Sequence, residues 1–247
     1  MDLSERSGSV SQRHPWETAR VAVVREIVGG LGLERPRVLD VGSGDGYLVQ
    51  ALHQALRFRD VIAQDIHLTD ALAEELRRPG VEFVRELTDP QYRADLILLM
   101  DVLEHVEGPV EFLAQLARER LSQGGHIVIT VPAFQQLFTD HDRALKHFRR
   151  YDRAQLVREV EGAGLSVLDS GYLFASLLAP RALSALRERV WPRRGASHGV
   201  GSWRGPSLVT QLLHGVLALD GRLCLAARER GVTVPGLTVW LTCKTPS

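Results

Sequence analysis

The sequence predicts an α/β fold in which a mostly parallel, seven-stranded sheet carries helices on both faces. Short apolar segments alternate along the chain with segments of helical periodicity, which is the pattern of strand–helix–strand units. One of the apolar segments, residues 95–100, shows no polar alternation, as expected of a strand buried on both faces. The 247 residues, 45% of them hydrophobic, suffice for one sizeable core.

The first half of the chain supplies four strands. Residues 16–28 have helical spacing and end at a glycine pair, so they predict a helix in front of the sheet. The strands of this half are predicted at residues 37–41, 60–64, 81–84 and 95–100. The helices between them are predicted at residues 48–56 and 69–77, the second ending before a Pro-Gly pair.

The second half supplies three more strands and an insertion. The elements predicted here are a helix at 107–121, strands at 124–131 and 165–173, a helix capped by Asp152, and a last strand at 237–243. Residues 174–234 contain helical patterns at 182–190 and 207–230, separated by a Trp-, Pro-, Gly- and Arg-rich loop at 191–206. The predicted division is therefore a core over 1–173 with an N-terminal cap helix, a helical insertion over 174–234 acting as a lid or partner surface, and a final core strand over 235–247.

Composition disfavours some partners. The 30 basic and 30 acidic residues balance, whereas a nucleic-acid-binding protein usually shows a basic excess. The two cysteines have no metal-binding spacing, and residues 1–14 lack the apolar core of a secretory signal. The uncharged stretch 205–219 is too short for a transmembrane helix. We expect a cytoplasmic protein that does not bind nucleic acid, with peripheral membrane contact left open.

The most informative motif is a glycine turn between the first strand and the next helix. Gly42, Gly44 and Gly46 follow the apolar strand, and glycine lets a backbone approach a ligand closely. The free N–H groups of the helix start then favour a nucleotide-type pocket. The spacing departs from the dinucleotide fingerprint, and no ATP-type phosphate loop is present. Asp40 and Asp45 would repel a pyrophosphate but suit a cationic amino acid.

This motif resembles the first motif of the class I S-adenosylmethionine-dependent methyltransferases, and the resemblance covers roughly residues 15–172. It implies a Rossmann-like fold, S-adenosylmethionine as cofactor and methyl transfer as reaction. It also implies that Asp40 and the turn hold the methionine portion, that Asp65 accepts the ribose hydroxyls, and that Ile66 lies against adenine. The implied cofactor-binding residues are Asp40, Gly42, Gly44, Gly46, Tyr47, Asp65, Ile66, Met100 and Asp101.

A second group of polar residues follows the fourth and fifth strands, in residues 101–106 and 132–151. In one interpretation the first segment only orders the loop and the cofactor. In the other, Asp101, Glu104, His105 and His147 bind a divalent cation such as Mg²⁺, Mn²⁺, Fe²⁺ or Zn²⁺. This pattern resembles the metal-dependent small-RNA 2′-O-methyltransferases and the ubiquinone-pathway O-methyltransferases, which usually have Glu at the first position.

Without a metal, His105, His141 or His147 is a candidate general base, because imidazole titrates near neutral pH. Arg150 and Tyr151 are candidates for binding an acidic group of the substrate, although Arg150 also has Asp142 as a nearby ion-pair partner in sequence. Trp16, in the N-terminal helix, is expected either to line the pocket or to pack in the core.

The predicted function is S-adenosylmethionine-dependent methylation of a small-molecule acceptor, with oxygen favoured over nitrogen or carbon, in the biosynthesis of a specialised metabolite or lipid-like compound. The alternatives are a metal-dependent RNA 2′-O-methyltransferase and a non-catalytic cofactor-binding scaffold. The apolar stripe of residues 207–230 suggests core packing, a homodimer contact or a hydrophobic substrate, and the arginines near residues 187–194 suit an anionic head group or a membrane surface.

Overall fold

The computed structural model describes residues 13–191, 203 and 205–246. Its strands form one seven-stranded sheet in the order β3-β2-β1-β4-β5-β7-β6. The strands are β1 Arg37–Val41, β2 Asp60–Gln64, β3 Glu82–Val84, β4 Ala94–Met100, β5 Leu121–Pro132, β6 Ser166–Leu173 and β7 Thr238–Lys244. Only β7 runs antiparallel to its neighbours, so the prediction of a mostly parallel α/β sheet is confirmed.

Helices connect the strands and cover both faces of the sheet. They are α1 Pro15–Gly30, α2 Tyr47–Leu56, α3 Asp70–Leu76, α4 Pro109–Arg120, α5 Asp140–Ala144, α6 Arg153–Gly162, α7 Leu178–Val190 and α8 Ser207–Glu229. Two apolar clusters result, one on each side of the sheet. Alternate residues of β4 enter the two clusters, for example Leu98 and Leu99, which explains why this strand lacks polar alternation.

The strand order places a crevice at the centre of the sheet. The chain winds outward from β1 in one direction and from β4 in the other, so the connections after these two adjacent strands leave on opposite faces. Open α/β sheets bind ligands in such a crevice, outside the carboxyl ends of the strands. The loops after β1, β2, β4 and β5 all end at this edge, and they carry the polar residues that the sequence singles out.

The insertion before the last strand is helical, as predicted, and packs on the core. α8 lies against α1, where Gly221 faces Val23 so closely that a Cβ at position 221 would lie 2.4 Å from Val23 Cγ2. Thr18 Oγ1 is 2.8 Å from His214 Nδ1, and Arg222 forms an ion pair with Glu26 at 2.6 Å. Most of the predicted loop 191–206 and the predicted loose segment 1–14 lie outside the described residues.

One predicted loop contains a helix. Residues 132–151 were expected to be irregular, yet α5 begins after Thr139. Thr139 and Asp142 form a capping box, in which each side chain accepts a hydrogen bond from the backbone N–H of the other residue. The spacing of Thr and Asp was therefore a helix signal that the density of charged residues in this segment obscured.

Candidate functional site

The glycine turn after β1 requires its glycines. Gly42, Gly44 and Gly46 all have positive φ, between 57° and 70°, which other residues adopt only with strain. A Cβ at position 46 would also lie 2.5 Å from the ring of Phe83. The Gly42 N–H donates to the Gln64 carbonyl at 2.9 Å, so the turn is attached to the end of β2. The turn therefore presents backbone without side chains at its three glycines, at the edge of the crevice.

Asp40 places a buried carboxyl in β1, just before this turn. It is 2% exposed, and its Oδ1 has no hydrogen-bond partner among the described residues. Burial raises the pKa of Asp40 to about 7, although the charge of Arg20 acts in the opposite direction. Because an unpartnered buried carboxyl oxygen is costly, a ligand with N–H donors and positive charge would stabilise this position.

Asp65 follows β2 and holds the turn from the other side. Its two carboxylate oxygens accept hydrogen bonds from the N–H groups of Gly44 and His67, both at 2.9 Å. A carboxylate has about four lone-pair sites, so Asp65 keeps acceptor capacity for ligand hydroxyls. Ile66, the next residue, is 65% exposed and offers an apolar surface beside it.

The N-terminal segment lies over the glycine turn. Arg13 forms an ion pair with the buried Asp45 at 2.5 Å, and its guanidinium lies 4.2 Å from the ring centroid of Tyr47. Asp45 also accepts a hydrogen bond from the Tyr47 N–H at 3.2 Å. Tyr47 and Asp45 are therefore covered by Arg13, which no motif in the sequence indicates.

Asp101 contacts α1. Its Oδ2 forms an ion pair with Arg20 Nη1 at 2.8 Å, and Arg20 Nη2 donates to Thr130 Oγ1 at 3.1 Å. Asp101 has φ +60°, a strained value for a non-glycine residue that is often found at functional sites. Met100 is nearly buried beside it, and the Arg20 guanidinium lies 5.1 Å from the ring centroid of Trp16.

Glu104, His105 and His147 converge at the carboxyl end of β4. One potential ligand atom from each residue lies within 4.8 Å of the others, and the two imidazole rings meet edge to face at 4.6 Å. Glu104 is fully buried, and both of its carboxyl oxygens lack a hydrogen-bond partner in the described part of the chain. Burial and the nearby charge of Asp101 raise the pKa of Glu104.

Asp142 contacts this cluster through a hydrogen bond with His147. It is fully buried and accepts hydrogen bonds from His147 Nδ1 at 3.2 Å, Arg150 Nε at 2.7 Å and Arg181 Nη2 at 2.7 Å. Burial alone would raise the pKa of Asp142, but the hydrogen bond from His147 and the charge of Arg150 hold it below its ordinary value. Asp142 is thus ionised at neutral pH and fixes the orientation of the His147 ring.

Two members of the predicted metal and base sets lie elsewhere. Asp101 pairs with Arg20 and is outside the Glu104–His105–His147 cluster, so the proposed four-residue set reduces to three. His141 lies on α5, outside this cluster, and burial together with the charge of Arg181 lowers its pKa. A shorter Asp at position 101, held by α1, explains why it does not join the group.

Arg150 and Tyr151 do not line an open surface. Arg150 is nearly buried and is bonded to Asp142 and to the Ala133 carbonyl, which is the alternative that the sequence left open. Tyr151 is fully buried, and its hydroxyl donates to the Leu103 carbonyl at 3.2 Å. The expectation that they bind substrate is replaced by a supporting role, because their polar atoms are engaged within the loop. Trp16 is half-buried between Arg20 and Phe174.

Comparison with known proteins agrees with this geometry. Residues 17–170 match the family model described as a methyltransferase domain. A ubiquinone biosynthesis O-methyltransferase of Alkalilimnicola ehrlichii is 28% identical over 134 residues, a match that spans 50% of this chain and only 51% of that protein.

Solved structures share the fold at low sequence identity. A geranyl diphosphate methyltransferase in complex with S-adenosylmethionine superposes with a TM-score of 0.56 at 13% identity, covering 93% of this chain and 86% of the other. A methyltransferase of Haloferax volcanii in complex with the activator Trm112 gives 0.55 at 17% identity, covering 95% and 90%. Because the family model matches residues 17–170, more than half of the chain, the chain belongs to the methyltransferase domain family, and it has the strand order and the glycine turn of a class I S-adenosylmethionine-dependent methyltransferase.

Proposed function

We propose that this enzyme methylates a hydroxyl group of a small molecule, and that Glu104, His105 and His147 act on the acceptor side of the site. The observation that carries the proposal is the convergence of these three residues at the sheet edge that also carries the glycine turn. The likeness to a ubiquinone biosynthesis O-methyltransferase over half of the chain supports oxygen as the acceptor atom and biosynthesis of a lipid-like compound as the setting.

The cofactor side of the site follows from the residues around β1 and β2. We assign the methionine portion to Asp40 and the glycine turn, the ribose hydroxyls to Asp65 and the adenine to Ile66. Tyr47, Met100 and Asp101 complete the set. The orphaned oxygen of Asp40 fits a ligand with a cationic amino group. S-adenosylmethionine supplies an activated methyl group, so the protein mainly has to align the reactants and exclude water.

His147 has the support that acceptor activation requires. Asp142 is ionised, so the Nδ1–H of His147 donates to it and the lone pair stays on Nε2. A lone pair held in one orientation suits both a metal ligand and a general base that takes a proton from a hydroxyl group.

The donor set fits a divalent cation. One carboxylate and two imidazoles are ligands that Mn²⁺, Fe²⁺ and Zn²⁺ accept, and the two unpartnered oxygens of the buried Glu104 would be satisfied by a cation. When bound, such a cation would act as a Lewis acid on the acceptor oxygen. The chain's own part is to hold His147 through Asp142 and to keep Glu104 away from water.

The cation proposal is tested with His147→Ala. Wild-type protein is expected to bind one Mn²⁺ or Zn²⁺ per chain in calorimetry, and His147→Ala is expected to bind it at least about tenfold more weakly, because one of three ligands is lost. His141→Ala is the matched control, since His141 lies outside the cluster. Full activity after exhaustive chelation, combined with inactivity of His147→Ala, would instead assign His147 as a metal-free base.

The buried Asp40 makes cofactor binding depend on pH. The cationic cofactor favours the ionised carboxylate, so its affinity is expected to rise as pH increases through about 7, with release of a proton on binding below that pH. Folding shows the opposite trend: because the folded pKa is raised above the ordinary value of 3.8, the contribution of Asp40 to stability falls as pH rises between these values.

Calorimetric titrations of S-adenosylhomocysteine and S-adenosylmethionine from pH 5.5 to 8.5, in buffers of different ionisation enthalpy, measure both effects. Asp40→Asn should bind more weakly at high pH and lose this pH dependence. A wild-type affinity that stays flat across the range would contradict the assignment of Asp40.

A further inference from the structure

The helices of the insertion expose an unusual amount of apolar surface. Most of the large hydrophobic side chains that are exposed in the described residues belong to α7 and α8 or follow α7 directly. Those of α8 are Leu208, Val209, Leu212, Leu213, Val216, Leu219 and Leu223. The exposed apolar side chains of α8 recur along one helix, and an apolar surface of this kind commonly marks an interaction site.

α8 has an inner and an outer apolar face. Helical spacing places Leu212 and Leu219 on one side, opposite Leu217 and Gly221, which are packed on α1. By length and composition α8 is, among the described residues, the one helix suited to cross a membrane. It cannot do so while its inner face is bound to α1, so α8 lies along the domain with its outer face turned to the surroundings.

The exposed charges at the end of α7 are positive. Arg187 lies on the exposed side of α7 with Leu183 and Val190. Apart from Arg181, which pairs with Asp142, the charged residues of α7 are the exposed Arg187 and Arg189 and one acidic residue, Glu188. The carboxylate of Glu188 is already engaged with the backbone N–H of Asp140.

We propose that the outer face of α8, together with the exposed end of α7, docks on the surface of an anionic lipid bilayer. Exposed leucines on α8, together with the exposed arginines and the exposed Trp191 at the end of α7, have the composition of helices that lie in a membrane interface. The proposal is independent of the acceptor of the methyl group. It does, however, place the enzyme where lipid-like acceptors are found.

A second copy of the chain is the less suitable occupant. A symmetric pair through this surface would bring Arg187 and Arg189 of both copies to one interface, whereas an anionic bilayer attracts them. Residues 207–219 also contain no charged side chain, so this part of α8 has no charges to set the partner and register of a paired helix seam.

The test uses the full chain and vesicles of two compositions. Wild-type protein is expected to sediment with phosphatidylcholine vesicles that contain phosphatidylglycerol at least about tenfold more strongly than with phosphatidylcholine alone, and less at high salt. The double variant Leu212→Glu/Leu219→Glu is expected to lose roughly tenfold or more of this partitioning, because two leucines can no longer be buried. Arg187→Glu should reduce it severalfold, and Leu168→Glu, an exposed leucine on β6, should leave it unchanged.

Three outcomes would overturn the proposal. They are a wild type that binds neither vesicle, a double variant that binds as well as the wild type, and a dimer in sedimentation velocity that the double variant loses without any vesicle binding. The same proteins are titrated with S-adenosylhomocysteine, since unchanged affinity shows that the variants are folded. Absence of that binding in every protein would count against methyl transfer and leave the vesicle result standing.

Discussion

Replacing Asp142 with alanine is expected to lower the free energy of unfolding by about 3–5 kcal/mol, because it leaves a buried cation without its partner. Asp142 is the shared acceptor of Arg150, Arg181 and His147. In the variant, the nearly buried guanidinium of Arg150 would lose its bond to Asp142 and keep the bond to the Ala133 carbonyl. Urea denaturation at pH 7 followed by circular dichroism measures the loss.

Asp140→Ala, in the same helix, is the control for this result. The Asp140 side chain is exposed and pairs with Arg143, so its removal should cost less than about 1 kcal/mol. The pKa of Asp142 is lowered in the folded protein, so its contribution is present above the ordinary aspartate pKa and disappears as pH falls through the lowered value. The difference between wild type and Asp142→Ala should therefore shrink below about pH 4. Equal losses in the two variants would contradict the role of Asp142.

Replacing Asp65 with alanine is expected to weaken S-adenosylmethionine binding by about 100-fold, while kcat at saturating cofactor falls much less. Two hydrogen bonds from ribose hydroxyls to a charged acceptor account for a change of this size. Asp65 also accepts the Gly44 N–H, so its loss loosens the turn that carries the methionine portion. Calorimetry gives the affinity, and initial rates with an acceptor identified by screening give kcat.

Asp60→Ala provides the comparison, because Asp60 begins the same strand, is exposed and pairs with Arg59. It should bind the cofactor like the wild type. If Asp65→Ala lowered kcat and affinity by the same factor, Asp65 would be acting on the reaction rather than holding the ribose.

Much of the fold was predictable because its signals are local. The alternation of apolar strands with helices gave all seven strands to within a few residues, since a parallel sheet buried on both faces leaves continuous apolar segments such as β4. The glycine turn was also predictable, because positive φ at three alternate positions permits little besides glycine. The assignment to the methyltransferases is confirmed.

The parts of the site that were not predictable depend on contacts between distant segments. Arg20 forms an ion pair with Asp101, and Arg181 forms one with Asp142, which lies 39 residues away in the chain. No spacing in the sequence indicates either pair. Asp142 looked like one of many charged residues in its loop, although its capping-box spacing from Thr139 was a usable signal. The small-molecule acceptor, the homodimer and the cytoplasmic location stay predictions.

The close contact between Gly221 and Val23 has a mechanical consequence. With no side chain at position 221, the backbone of α8 lies directly on α1, and Arg222 forms an ion pair with Glu26 beside this contact. α1 also carries Arg20, which forms an ion pair with Asp101 after β4. The packing of the insertion on α1 is therefore linked, through the ion pair of Arg20, to the strained backbone of Asp101.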